Sequence, residues 1–180
     1  MKKFIQKVLT LCGIVLLICA AFISFVLLAG APQYEDIYTA SLIDKVNLLE
    51  STDGARIVLI GNSNIPFGVE SGKIEKAFSM PVIDMGVHGG FGNSFDEQMC
   101  KLDVHEGDIY VVIHNTYSDD DQIVQPELVM TTIENHRELW KLLRLKDYGD
   151  ILKAFPEYGI KVTARWFKQV LTGSAGSVGG

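Results

Sequence analysis

Ser63 follows an unbroken apolar run and a glycine, a setting that could support nucleophilic chemistry. Residues 56–60 are typical of a strand buried on both faces, and Gly61-Asn62-Ser63-Asn64 then forms a turn. In open α/β sheets, ligands bind at the C-terminal edge of the strands. A serine hydroxyl held there is a candidate nucleophile. Ile65 stands where the Gly-x-Ser-x-Gly elbow has its second glycine, so this is a different motif.

Two more polar segments follow predicted strands farther along the chain. The glycine-rich stretch 86–92 comes after the strand at 81–85, and His114-Asn115 comes after the strand at 109–113. Strands that alternate with helices predict a parallel sheet, and right-handed crossovers place the loops after its strands at one edge. We therefore expect Ser63, the glycine loop and the third segment to converge.

From residue 56 to residue 118 the chain resembles the SGNH/GDSL hydrolase family, which opens with a strand and a Gly-Asp-Ser or Gly-x-Ser block. The continuation Ser63-Asn64-Ile65-Pro66-Phe67-Gly68-Val69-Glu70-Ser71 is most similar to a membrane-anchored branch of that family. That branch includes proteins that move acyl groups onto cell-surface polysaccharides. The resemblance implies an α/β fold with a three-layer, flavodoxin-like parallel sheet, and chemistry that needs no metal or nucleotide cofactor.

The same resemblance implies a role for each of three residues. Ser63 would be the nucleophile, and its backbone N–H would be one donor to the developing oxyanion. Gly89 would supply a second N–H, with Gly86 and Gly90 as rivals. Asn115 would supply a side-chain donor. Preorganised donors of this kind contribute about 2.7–4 kcal/mol each to catalysis.

Each of these residues also has an ordinary structural explanation. Ser63 could cap the helix that follows its strand, the glycines could form a plain turn with positive φ, and Asn115 could be a turn residue. The third block departs from the family pattern, because His114 and Thr116 flank Asn115 where Gly-x-Asn-Asp is usual. These alternatives stay open at the level of sequence.

A base to activate the serine is missing from its expected place. The family carries Asp-x-x-His near the C-terminus of its domain, and no such block occurs here. None of the four histidines, His88, His105, His114 and His136, has the family's position. Either the chain is the N-terminal part of a longer protein or it is a degenerate member without catalysis. We favour the first explanation and expect an incomplete sheet and an inactive fragment.

The N-terminal segment predicts a membrane anchor. The apolar run 8–29 is long enough to cross a hydrocarbon core of about 30 Å as a helix. Lysines precede it and acidic residues follow it, which predicts a cytoplasmic N-terminus and an extracytoplasmic domain at the cell membrane. A cleaved signal peptide is the rival interpretation, since Ala29-Gly30-Ala31 resembles a cleavage site. Pro32 directly after that site and the long apolar run favour an uncleaved anchor.

The rest of the chain is divided by composition and periodicity. We expect a juxtamembrane helix and linker over 32–55, the α/β domain over 56–172, a flexible Gly/Ser tail over 173–180, and the cytoplasmic tip and anchor over 1–31. Ser94 and Glu97 are spaced as a capping box for the helix after the glycine loop. The stretch 126–145 contains one further predicted helix, and residues 158–171 predict another that is basic on one side.

Charge and cysteine content exclude other classes of protein. The formal net charge of −6 and the lack of a basic patch with interleaved aromatic residues exclude nucleic acid as a partner. Cys100 is alone outside the anchor, so no disulfide framework is implied, and no Cys/His spacing indicates zinc. The expected partners are the lipid bilayer and an acylated polysaccharide or acyl carrier.

The predicted activity is acyl-ester hydrolysis or O-acyl transfer through a seryl ester on Ser63, acting on envelope glycans or carriers. The alternative is a non-catalytic envelope protein with a degenerate SGNH fold, which binds glycan or a partner in the same cleft. A nucleotide-binding flavodoxin-like domain is less favoured, because the first loop lacks a phosphate-cradling run of glycines.

Overall fold

A computed structural model describes residues 1–30, 32–34, 37–114, 122–134 and 136–173. Its helices and strands are α1 (Lys2–Leu28), α2 (Ser41–Ser51), β1 (Ile57–Gly61), α3 (Asn64–Gly68), α4 (Ser71–Phe78), β2 (Val82–Asp84), α5 (Asn93–Met99), β3 (Ile109–Ile113), α6 (Pro126–Ile133) and α7 (Tyr148–Thr172). Short 3₁₀ turns lie at Tyr38–Ala40, Gly89–Phe91, Arg137–Leu142 and Leu145–Asp147.

The chain divides into two compact units. One unit comprises residues 1–32 and 156–180, and the other comprises residues 33–155. The first therefore contains α1 and the C-terminal part of α7, and the second contains the sheet. The domain boundaries expected from the sequence stay a prediction.

The second unit is a mixed α/β structure around a three-stranded parallel sheet, as predicted. The strand order is β2-β1-β3. Ile57 is paired with both Val82 and Ile109, and Gly61 is paired with Ile113. β1 is the central strand and is buried along its whole length, which explains its unbroken apolar sequence.

Helices cover the sheet with apolar residues at helical spacing. α2 buries Leu42, Val46 and Leu49, so the juxtamembrane segment is amphipathic as predicted. On one face of the sheet, Ile57 and Leu59 pack with Ile65 of α3. Side chains from α4 and its flanks complete this cluster: Val69, Ile74, Met80 and Val82.

The edge where the strands begin is held by a buried arginine. Arg56 is fully buried, and its guanidinium lies 2.8 Å from Asp108 and 3.0 Å from Asp103. The same guanidinium donates to the carbonyl oxygens of Leu49 and Thr52 at the end of α2. One side chain thus joins the starts of β1 and β3 to the end of α2.

α1 is the one described helix that is long and apolar enough to cross a membrane. It has 27 residues and a mean hydropathy of 3.0 in its most apolar window. A signal sequence near the N-terminus would pass the same test. Within its own unit, α1 packs on α7, where the rings of Phe25 and Trp166 lie edge to face with centroids 5.3 Å apart.

Two of the three remaining predicted helices differ from the observed ones. The capping box is wrong, because α5 begins at Asn93 and the hydroxyl of Ser94 is buried without a hydrogen-bond partner among the described residues. The helix predicted within 126–145 is confirmed as α6, which ends at Ile133, and a 3₁₀ turn follows at Arg137–Leu142. The last helix starts at Tyr148, well before residue 158, and continues through Pro156.

Candidate functional site

The candidate site lies at the edge where the strands end, and Gly61 closes β1 there. Gly61 has a φ of +154°, and a Cβ at this position would lie 2.6 Å from the carbonyl oxygen of Ile113. Only glycine avoids both the unfavourable dihedral and the clash. The close approach of β3 to the end of β1 therefore requires the glycine that precedes Asn62 and Ser63.

The turn after Gly61 leaves the Ser63 side chain uncommitted. Asn62 accepts the backbone N–H of Asn64 on its Oδ1 at 2.9 Å. Ser63 is the N-cap residue of α3, but its side chain makes no capping hydrogen bond. It has ordinary right-handed helical dihedrals and is partly exposed. The capping role that the sequence left open is thus filled by Asn62, and the Ser63 hydroxyl remains available for chemistry.

The loop after β2 packs directly against the Ser63 turn. Val87 donates its N–H to the carbonyl oxygen of Gly61 at 2.9 Å. A Cβ on Gly86 would lie 2.7 Å from both the Cβ of Ile65 and the Cδ of Pro66. The structure therefore brings the first two predicted segments together, and the contact depends on the missing side chain of Gly86.

Hydrogen bonds distinguish the three glycines that could supply the oxyanion donor. Gly86 donates its N–H to Asp84 at 2.7 Å, and Gly90 donates its N–H to Nδ1 of His88 at 2.9 Å. In the part of the chain that the structure describes, the N–H groups of Gly89 and Ser63 have no hydrogen-bond partner. Of the three glycines, Gly89 alone can offer its N–H to a ligand without losing an existing bond.

An ion pair that the sequence analysis missed shapes this loop. Lys45 of α2 lies 3.2 Å from Asp84 and donates to the carbonyl oxygen of Gly86 at 2.6 Å. The Asp84 carboxylate thus bridges Lys45 and the N–H of Gly86. An aspartate two residues before a glycine indicates a local turn, but nothing in the sequence points to the distant Lys45.

His88 is close to the loop but is engaged in a way that is unsuitable for a base. Because its Nδ1 accepts the N–H of Gly90, the neutral ring carries its hydrogen on Nε2. A base in the serine mechanism needs an Nε2 lone pair to take the hydroxyl proton. His88 can provide one only if its bond to Gly90 breaks. Its ring centroid lies 5.9 Å from that of Tyr38, which in turn lies 6.3 Å from that of Phe67.

The other histidines are divided between the site and the rest of the unit. His114 follows Ile113, which is in register with Gly61, so His114 leaves the sheet at the edge of the candidate site. His105 lies at the opposite edge, 3.4 Å from Asp103. His136 pairs with Glu138 at 3.1 Å in the 3₁₀ turn after α6.

Asn115 lies outside the described residues, together with the acidic stretch that follows it, and its role stays a prediction. The described residues on either side of 115–121 both lie at this edge of the sheet. His114 directly follows β3, and on the other side Gln125 donates its N–H to the carbonyl oxygen of Gly90 at 2.7 Å. The glycine loop therefore contacts the segment that leads into α6.

The start of α5 buries polar groups that sequence reasoning missed. Asn93, Ser94 and Asp96 are each at most 4% exposed, directly after the glycine loop. Desolvation by burial, together with the smaller effect of the neighbouring Glu97 charge, raises the pKa of Asp96 to about 7. No described neighbour hydrogen-bonds to the Ser94 hydroxyl. The sequence signal was present, since polar residues interrupt the apolar stripe here, but it was interpreted as a cap.

Among the described residues, no group of three or more His, Cys, Asp or Glu side chains could hold a metal ion. The described groups that this edge offers for chemistry are the Ser63 hydroxyl and the N–H groups of Ser63 and Gly89. No family model matches the chain, and neither a curated protein nor a solved structure matches it. The resemblance to SGNH hydrolases stays a prediction from the sequence.

Proposed function

We propose that this protein is a membrane-anchored, SGNH-type acyl-ester hydrolase or O-acyltransferase that acts on envelope glycans or acyl carriers. The observation that carries the proposal is the state of Ser63. Its hydroxyl is uncommitted at the end of the buried central strand, and its N–H and that of Gly89 have no hydrogen-bond partner among the described residues.

The proposed reaction proceeds through a seryl ester. Oγ of Ser63 gives its proton to a base and forms a bond to the acyl carbonyl carbon, while the N–H groups of Ser63 and Gly89 receive the developing oxyanion. The C–O bond to the leaving alcohol then breaks, and that alcohol takes the proton. Water or an acceptor hydroxyl next attacks the ester, which gives hydrolysis or transfer.

The strand order supports the finer fold within this proposal. The order β2-β1-β3 matches the first part of the flavodoxin-like order 2-1-3-4-5. Alternate residues of β3 remain exposed, with Ile109, Val111 and Ile113 at 47%, 41% and 41%. Since parallel strands are ordinarily covered on both faces, this surface favours a sheet that further chain completes.

The proposal needs a base, and two of the described histidines, His88 and His114, lie at this edge of the sheet. His88 is engaged by Gly90, and no Asp-x-x-His block occurs in these 180 residues. Loss of a triad member leaves a residual rate of about 10³–10⁴ over water in the serine-protease case. These residues alone should therefore be weak catalysts, and an Asp-x-x-His block from further sequence should restore full turnover.

Turnover of an aryl acetate tests the catalytic proposal. The 180-residue chain, a longer natural chain with Asp-x-x-His and its Ser63→Ala variant would be compared in detergent. The exposed Ser51 at the end of α2 offers the control Ser51→Ala. We expect activity in the longer chain and in the control but not in Ser63→Ala. Undiminished activity of Ser63→Ala would show that another residue is the nucleophile.

A non-catalytic glycan-binding protein is the second candidate. The aromatic rings of Tyr38 and Phe67 are exposed beside His88, and the bond from Gly90 keeps that histidine from acting as a base. Aromatic faces beside polar donors suit the binding of a polar ligand. A longer chain that binds glycan but never turns over an ester would support this candidate.

The proposed location is the cell membrane, with the N-terminus in the cytoplasm and the domain outside. The lysines in the first two turns of α1 support this orientation. Protease treatment of cells whose outer layers are permeable to it should remove the domain and leave α1 protected. A soluble mature product that begins near Pro32 would reject the anchor, and a protected domain would reject the orientation.

A further inference from the structure

The C-terminal part of α7 packs across the outer end of α1. Phe22 and Val26 of α1 both lie against Gly159, where a Cβ would be 2.9 Å from Phe22 and 3.3 Å from Val26. Phe25 contacts Trp166 instead. At a rise of 1.5 Å per residue, Phe22 and Phe25 are about 4.5 Å apart along α1. Their partners on α7, Gly159 and Trp166, are about 10.5 Å apart along that helix. The second helix therefore runs across the first rather than alongside it.

A stripe of α7 that faces away from α1 is apolar and exposed. Ile160, Phe167 and Leu171 are 65%, 54% and 83% exposed, and their spacing places them on one face of the helix. The residues against α1, Gly159 and Trp166, lie on a different face. α7 thus carries two apolar surfaces, and α1 covers one of them.

A basic stripe borders the exposed apolar one. Lys161, Arg165 and Lys168 follow each other at spacings of four and three residues, so they share a face, on which Lys161 also pairs with Glu157 at 3.2 Å. They contrast with the net charge of −6 of the whole chain. An apolar face flanked by basic residues is the pattern of a helix that lies in a membrane interface.

We propose that residues 156–172 form an interfacial helix that lies in the outer leaflet beside α1. Ile160, Phe167 and Leu171 contact the acyl chains, and the basic stripe contacts the phosphates of anionic lipid headgroups. The bilayer is the occupant for two reasons. The helix packs on α1, which is proposed to span the bilayer, and its charges complement anionic headgroups.

The inference rests on the proposed membrane span of α1 and is independent of the chemistry at Ser63. It extends the contact of this protein with lipid from one helix to two. Trp166 packs on Phe25 near the C-terminal end of α1, and tryptophan is enriched at membrane interfaces.

Spin-label accessibility tests the depth of the helix. The full chain, with Cys12, Cys19 and Cys100 replaced by alanine, would be reconstituted in vesicles of phosphatidylcholine and phosphatidylglycerol. Single cysteines would replace Leu17 within α1, Phe167 on the apolar stripe, and Lys168 beside it on the basic stripe. We expect labels at Leu17 and Phe167 to collide with oxygen more and with a water-soluble nickel complex less than the label at Lys168.

The outcomes separate this inference from the anchor. If the Leu17 label is protected while the Phe167 label meets nickel as often as the Lys168 label, the anchor stands and the interfacial helix is overturned. Protection of Phe167 that disappears on dilution of protein in lipid would show a second copy on the stripe and would also overturn the inference. Nickel access at Leu17 would reject the span itself.

Charge removal tests the headgroup contact. We would combine the changes Lys161→Gln, Arg165→Gln and Lys168→Gln. The equilibrium constant for binding of the helix to the anionic surface should fall by about fivefold for each charge removed. Nickel access at a Phe167 label should rise accordingly. The control Lys73→Gln, Lys76→Gln and Lys101→Gln removes equal charge from exposed sites in the other unit. No rise, or an equal rise in the control, would overturn the headgroup assignment.

Discussion

Arg56, where the strands begin, and Ser63, where they end, occupy opposite edges of one sheet and differ in how many partners they have. Arg56 reaches two carboxylates and several carbonyl oxygens, all within a few residues of the starts of β1 and β3. The Ser63 hydroxyl makes no capping bond, and Gly89 at the same edge has an N–H without a described partner. In α5, which follows that loop, the Ser94 hydroxyl is buried and has no hydrogen-bond partner among the described residues.

The difference indicates that the edge at Arg56 stabilises the fold, whereas the edge at Ser63 keeps polar groups available for chemistry. Buried polar groups are ordinarily hydrogen-bonded, and exceptions call for an explanation. Proteins tend to break local rules at functional sites, and other regions compensate for them. The first edge is therefore expected to respond to substitution through stability, and the second through activity.

Loss of Arg56 should give the largest loss of stability. Arg56→Ala leaves the carboxylates of Asp108 and Asp103 without their buried partner, so we expect the free energy of unfolding to fall by about 3–5 kcal/mol. Urea unfolding of the full chain in nanodiscs would measure it. Exposed Lys101→Ala is the control. A loss no larger than in that control would contradict the structural role of this edge.

Replacement of Asp96 should give the next largest effect on stability. It should stabilise the folded chain above pH 7, whereas loss of Arg56 destabilises it. Burial raises the pKa of Asp96 from 3.8 to about 7, so between these values the folded chain holds a proton that the unfolded chain has lost. Stability should therefore fall as pH rises from about 4 to about 7, by on the order of 4 kcal/mol at most. Asp96→Asn should remove this dependence and be more stable than the native chain above pH 7.

The measurement for Asp96 is a series of urea unfolding curves across that pH range. Exposed Glu97→Gln on the same helix is the matched control, because it removes a neighbouring charge without removing the buried carboxyl. An Asp96→Asn chain with the same pH profile as the native chain would show that another group titrates.

Asp108 should make the first edge sensitive to acid. Burial alone would raise its pKa, but the hydrogen bonds from the side chain of Arg56 and from the N–H groups of His105 and Arg56 lower it to about 2. Because the folded pKa is lowered, this stability is fully present above about pH 4 and is lost as pH falls toward 2. The loss should be about 2 kcal/mol.

Acid unfolding followed by circular dichroism would detect this loss. The Asp108→Asn variant should already be destabilised at neutral pH and should lose less on acidification. If the native chain and Asp108→Asn lose equal stability between pH 4 and pH 2, the carboxylates of other residues account for the acid response.

Gly86→Ala should have a smaller effect on stability than the changes at the first edge. The added methyl would meet Ile65 and Pro66 at 2.7 Å and push the two loops apart. Overpacking of this kind costs about 1–3 kcal/mol. Gly72→Ala is the matched control, because nothing lies within 4 Å of the added methyl. In a longer active chain, Gly86→Ala should also lower ester turnover, and unchanged turnover would mean that this contact does not position Ser63.

Ser63→Ala should have the smallest effect on stability. A serine N-cap that makes its hydrogen bond contributes about 0.5–2 kcal/mol, but Ser63 makes none. We expect a change below about 0.5 kcal/mol. Asn62→Ala is the informative comparison, because it removes the acceptor of the Asn64 N–H and should cost more. A large loss in Ser63→Ala would make the serine structural.

Apolar patterning was sufficient to predict the sheet and the apolar helix but not the ends of the elements. The runs that became β1 and β3 were predicted almost to the residue, because both are continuous apolar stretches. Full burial explains this pattern in β1 alone, since alternate residues of β3 are exposed. Ser94 was misjudged because a serine three residues before a glutamate has the same spacing whether it caps a helix or lies inside one. The break after Ile133 depends on tertiary packing that propensity does not contain.

The sequence by itself determined the long apolar helix at the N-terminus, the parallel order of strand and helix, and the position of Ser63 just after a strand. These follow from hydrophobic periodicity, which is local in the chain. Only the tertiary structure decided that Gly86 donates its N–H to Asp84 and Gly90 donates its N–H to His88. The N–H of Gly89 has no partner among the described residues. The tertiary structure also decided that Arg56 is buried and that Lys45 holds the loop. These outcomes depend on partners that are distant in sequence, and hydrogen bonds form only where folding has brought donor and acceptor within about 3 Å.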